Sequence, residues 1–312
     1  DNPLLQDDSF ALSFDAKIAL RNIRGTYMLL TDNNEQALQQ YREAVRIWKE
    51  YPAMIAERPA QYRRYLINYL NCLASTRHAG EFADVIASVK ALPPSENGSQ
   101  INRLKEVWNI ELFYYLNNGR LDKGMEVIEE IRQNIREHKN TIQPSALIPL
   151  YYNCSVFYFL EGNHGMSLEY INTIMNETSI ELKRDIQEFA RIFSLITHYE
   201  LKNFDALDNM LRSTQRFLKQ KDTLSQFETL VLRAIRTLLG SLNDHTSLSI
   251  FRSLHDDLVG ILHSSDANPL GLLEVLFWTE SKLQKQSVRH VFTQKMQAGG
   301  FNDHRDIFPR GK

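Results

Sequence analysis

Apolar positions recur with helical spacing through most of the chain. Val107, Ile110 and Tyr114 stand at i, i+3 and i+7, with Tyr115 alongside and Glu111 as the one polar exception. Met125, Ile128, Ile131 and Ile135 keep the same rhythm on the segment that follows. Such segments come in pairs joined by short turns. Beyond a first hairpin around Gly25, the spacing predicts hairpins over about 58–92, 100–138, 144–175 and 180–219. Their turns fall at Ala79-Gly80-Glu81-Phe82, Asn118-Gly119-Arg120-Leu121, Glu161-Gly162-Asn163-His164 and Leu201-Lys202-Asn203-Phe204. Gly80, Gly119 and Gly162 are expected to end helices in left-handed caps, and Lys202-Asn203 replaces the glycine in the last turn. Breaks are expected at Tyr51-Pro52, Leu92-Pro93-Pro94, Gln143-Pro144 and Lys221-Asp222. Further helices are expected over about 224–239, ending at Gly240, then over 247–262, 269–283 and 287–297. In the polar tail, 298–312, Phe301, Ile307 and Phe308 are the side chains able to dock it. No run alternates apolar and polar residues between turn pairs, so the chain reads as all-α.

Within the first hairpin, Gly25, Ala37, Tyr41 and Ala44 follow one another at offsets of twelve, four and three, and this frame returns with drift about every forty residues, five times in all. Gly25 admits the second helix closely, Ala37 is the small residue expected to meet it at the crossing, and Tyr41 fills the gap to the next hairpin. One hairpin cannot bury its own apolar face, so the copies must stack. The offsets, with Asn153-Cys154-Ser155 and Glu161-Gly162-Asn163, resemble the tetratricopeptide (TPR) repeat, whose unit is usually about 34 residues. The resemblance covers about residues 10–220. It implies a right-handed α-solenoid of stacked antiparallel hairpins, at least five repeats, with a degenerate hairpin and capping helices over about 221–297. The whole of 1–312 would then be one elongated domain that binds a protein or peptide segment. Leu73, Leu112 and Leu195 stand where the frame has Gly25, and Val85, Gly124, Ser167 and Leu207 where it has Ala37. The larger of these side chains should widen the crossings. Arg212–Leu218, Phe227-Glu228 and Trp278–Lys282 also resemble the C-terminal part of a group of large bacterial TPR proteins.

Charge narrows the partners. Lys and Arg total 36 against 38 Asp and Glu, with no basic lobe, which disfavours nucleic acid. No run of eighteen apolar residues exists, so no membrane span is expected. The start, Asp1-Asn2-Pro3, has no initiator Met and no signal pattern, so a leader or an upstream region is expected before it. Cys72 and Cys154 fall one residue before the frame position of Gly25, two repeats apart, beyond the roughly 7 Å Cα limit for a disulfide. They read as small reduced core residues of a cytoplasmic protein.

Candidate chemistry lies on the first helix of each hairpin, which the TPR resemblance places along a concave groove. Asn22, Asn71, Asn109 and Asn153 occupy two adjacent groove positions. An amide both donates and accepts, which suits a ligand backbone, and it also suits a bond across to the next hairpin. Arg77, His78, Phe113, Tyr152 and Phe189 lie beside them. The Lys and Arg of chaperone-binding TPR clamps are replaced by Glu106 and Ile110. Arg212, Arg216 and Lys219 form a cationic stripe that Asp205 or Asp208 should pair. The nine histidines fall in no metal-ligand spacing. Asp256-Asp257 lacks the third acid of a diphosphate-binding magnesium motif, Gly260 standing in its place. The expectation is therefore a non-enzymatic scaffold with no cofactor. The alternative is a peptide-sensing domain of a larger bacterial regulator whose output domain lies upstream.

Overall fold

The computed structural model describes residues 7–76, 79–92, 100–137, 144–177, 184–219, 224–240, 244–264 and 269–298. Among these residues there are fifteen α-helices and no strand, with helices packed against neighbours in sequence. Contacts divide the chain into two compact units, 1–114 with 134–141, and 115–133 with 142–312. The first division falls inside a helix, where the sequence marks no boundary.

The first unit holds α1 (Phe14–Leu30), α2 (Asn34–Glu50), α3 (Pro52–Glu57), α4 (Pro59–Thr76), α5 (Ala79–Ala91) and most of α6 (Gln100–Asn117). Ser13 starts α1 by accepting a hydrogen bond from the Ala16 N–H at 3.1 Å. Trp48 is fully buried, with Phe14 edge-on at 4.8 Å and Tyr62 and Tyr65 at 5.5 and 6.0 Å. A Cβ on Gly25 would come within 2.9 Å of the Tyr41 ring, so Gly25 meets Tyr41 closely, one turn beyond the expected Ala37. Ala37 is fully buried. The Tyr41 hydroxyl reaches Thr26 at 3.2 Å and the side chain of Asn68 on α4, so this ring also bridges to the next hairpin as the frame requires. The break at Tyr51-Pro52 separates α2 from the short α3, which opens on Pro52 because proline is tolerated at a first helical position. Gly80 lies in the first turn of α5 and is no left-handed cap.

The second unit holds most of α7 (Leu121–Glu137), then α8 (Ile148–Leu160), α9 (His164–Asn176), α10 (Arg184–Glu200), α11 (Phe204–Leu218), α12 (Gln226–Leu239), α13 (Asp244–Ser264), α14 (Leu272–Gln284) and α15 (Val288–Gln297). A single 3₁₀ turn, Pro144–Leu147, leads into α8. Ser225 and Glu228 close a reciprocal capping box on α12. The tail residues Phe301, Ile307 and Phe308, and the Leu92-Pro93-Pro94 and Lys221-Asp222 breaks beyond Leu92, lie outside the described residues.

Five turns share one backbone solution. Asp32, Gly119, Gly162, Lys202 and Lys285 have φ of 59°, 65°, 79°, 58° and 54°. In each, the N–H of the following residue reaches back five positions: Asn33 to Met28, Arg120 to Tyr115, Asn163 to Tyr158, Asn203 to His198 and Gln286 to Ser281, at 2.8–3.0 Å. Lys202 holds a conformation that disfavours any Cβ. Lys202→Gly, at an exposed site, should therefore raise stability by about 0.5–1 kcal/mol. Thermal melting of this variant beside Lys202→Ala checks it: the alanine should not reproduce the gain.

Cys72 and Cys154 are both buried thiols, as their frame positions require. Burial pushes the Cys154 thiol strongly up, so it is held protonated. No helix among the described residues is long and apolar enough to cross a membrane.

Candidate functional site

The expected groove residues divide between the units. In the first, Asn22 on α1, Asn71 on α4 and Asn109 on α6 are half-buried. Phe113 is buried, and Arg77 and His78 lie outside the described residues. In the second, Asn153 is half-buried on α8, while Tyr152 and Phe189 are core side chains. Phe113, Tyr152 and Phe189 are thus not open groove walls, which corrects the sequence reading.

What covers Tyr152 and Phe189 is the chain itself. Leu272, Leu273, Val275, Leu276, Phe277 and Trp278 make the first two turns of α14 apolar except at Glu274, and all are buried. A helix of that kind belongs at the centre of a fold. Its Glu274 meets Tyr152 on α8, and its Trp278 meets Tyr199 and Glu200 on α10. Gly271, at φ 87°, lets the chain enter α14 against the Phe189 ring, which a Cβ there would overlap. Phe189 in turn stacks on Phe193 at 5.3 Å and touches Phe227 and Tyr152 at 6.3 and 6.0 Å.

Glu274, Trp278 and Lys282 follow at intervals of four, so they share one stripe of α14. The Tyr152 hydroxyl donates to Glu274 Oε1. Trp278 Nε1 donates to Glu200 Oε1 at 2.7 Å, and Lys282 Nζ to Glu200 Oε2 at 2.6 Å. The Trp278 ring stands edge-on to Tyr199 and Phe251 at 5.8 and 5.1 Å. His164 Nε2 is 3.9 Å from Glu200 Oε2, yet burial lowers its pKa, so Glu200 draws its charge from Lys282 rather than from a stable imidazolium. At the far end Arg289 of α15 forms ion pairs with Asp122 (2.7 Å) and Glu161. Lifting α14 away would expose six large apolar side chains, each worth about 1.5–3 kcal/mol when buried. A ligand would have to replace all of that, so this face is a filled interior.

The other singled-out acids are in ordinary pairs. Asp256 is 3.5 Å from His255, and Asp257 lies 3.5 Å from Arg233. Arg212 of the cationic stripe is paired by Asp208. Among the described residues no group of three or more His, Cys, Asp or Glu is placed to hold a metal ion.

One exposed apolar surface among the described residues was not singled out from sequence. On α1, Ile23, Tyr27 and Leu30 are 47%, 60% and 81% exposed. They sit at i, i+4 and i+7, opposite the buried Ile18 and Gly25, with the buried Leu20 at the N-terminal end of the same face. Phe10 and Leu12, just before the helix, are exposed as well. Asn22 lies next to Ile23 on the same helix. The signal was readable: α1 carries apolar residues on two faces, while one hairpin partner covers one. No protein-family model matches the chain, and the search of curated proteins finds no match.

Proposed function

We propose that this chain is a non-enzymatic scaffold that holds a protein or peptide segment, built as a right-handed array of TPR-like hairpins. The exposed row Ile23, Tyr27 and Leu30 supports this reading, because large apolar side chains in a continuous exposed stripe mark interaction surfaces. The amide of Asn22 beside that row suits a peptide backbone. The two buried thiols suit a reducing compartment such as the cytoplasm.

A photo-crosslinking amino acid at Tyr27 tests it in the source cell. A discrete adduct that disappears when Ile23 and Leu30 are both changed to serine supports the reading. Both sites are exposed, so the double variant should melt within about 0.5 kcal/mol of the parent. Adducts unchanged by the double substitution would exclude this face as the binding surface.

A further inference from the structure

Glu274 is a carboxyl with almost no exposure, and the partner of one oxygen is a neutral phenol, Tyr152. Its other oxygen, Oε2, is buried and receives no hydrogen bond. Among the described residues no cation acts on it. From α8 it faces Tyr152, and on α10 Asp185 is an anion that acts on the same phenol, while Arg184 pairs with Glu188 and Arg191 lies over the Phe217 ring. From α12, Glu228 is closed in its capping box with Ser225. On α13, His255 lies beside Asp256, and on α15 Lys295 and Arg289 pair with Glu280, Glu161 and Asp122. A carboxylate enclosed in this way loses its hydration with no compensating charge. The first turn of α14 offers it backbone dipole, which favours the anion but does not replace a counter-ion.

We infer that the seating of α14 on α8 and α10 is proton-linked: with Glu274 as the neutral acid the first turn of α14 stays docked on Tyr152 and Phe189, and loss of that proton loosens it. Burial pushes Glu274 up to about 7, partly offset by the Tyr152 hydrogen bond and by its own backbone N–H. The folded state therefore holds the proton more tightly than the unfolded chain. The stabilisation is complete below the ordinary carboxylate range and is lost as pH rises through about 7. His164 and His198 cannot produce this dependence. Burial lowers both, so their contribution is lost as pH falls, the opposite sign.

Hydrogen exchange on the full chain, corrected for intrinsic rates, tests the inference at pH 5.5 and pH 8. Amides of 272–284 should lose protection on the order of tenfold between the two, while those of α11 stay unchanged. Glu274→Gln should show equal protection at both pH values, because an amide carries no charge. Unchanged α14 protection in the parent chain, or the same loss in Glu274→Gln, would overturn the inference. If Glu274→Gln does not fold, the parent decides alone: a loss shared equally by α11 is global and counts against it.

Discussion

Gly271→Ala should destabilise the chain by about 3 kcal/mol, a large effect for a single methyl group. Two costs act together. The backbone there is left-handed, at φ 87°, which an L side chain resists by about 1–2 kcal/mol. The new Cβ also overlaps the Phe189 ring. That ring cannot swing aside, since Phe193, Phe227 and Tyr152 hold its other sides. Gly260→Ala is the control. Nothing lies within 4 Å of a Cβ there, and Gly260 is inside α13, so alanine should be neutral or add about 0.5–1 kcal/mol. Chemical denaturation of the two variants side by side checks the contrast. Equal stabilities would mean that α14 does not enter against Phe189.

Trp278→Ala should cost about 4 kcal/mol. The indole is fully buried and fills the space between Tyr199 and Phe251. Its N–H also satisfies Glu200 Oε1, whose other oxygen is taken by Lys282. Trp278→Phe separates the two roles. It keeps most of the apolar volume and removes the donor, so it should cost about 1–3 kcal/mol. A loss below about 1 kcal/mol for the alanine variant would contradict a central place for this ring.

Local features were legible in the sequence, and distant ones were not. The helix pairs follow from spacings of three and four, and Lys202-Asn203 stood out as a glycine-free version of the same turn. These signals lie within about ten residues of one another. The first turn's left-handed residue, Asp32, carried a weaker cue, because aspartate visits that conformation more readily than most side chains yet is common in other turns too. Gly80 misled for the converse reason: a glycine that can adopt a left-handed cap need not do so. The burial of the candidate aromatic residues was set at longer range. Tyr152 meets Glu274 across 122 positions and Trp278 meets Glu200 across 78. Periodicity describes one helix face at a time and cannot say which remote helix will cover it. One clue was present, since α14 has Glu274 as the lone polar residue among its first seven, a composition suited to a central helix rather than a peripheral cap.

The late position of α14 has a consequence for biogenesis. During synthesis Tyr152, Phe189 and Glu200 leave the ribosome long before the residues that cover them. At about 5–20 residues per second the wait is on the order of ten seconds. For that interval the nascent chain presents an aromatic face with one buried-to-be carboxylate at its edge, a surface of the kind that chaperones hold and that neighbouring chains on a polysome can pair with. Completing the second unit is thus a race between translation of its last helices and self-association of its middle ones.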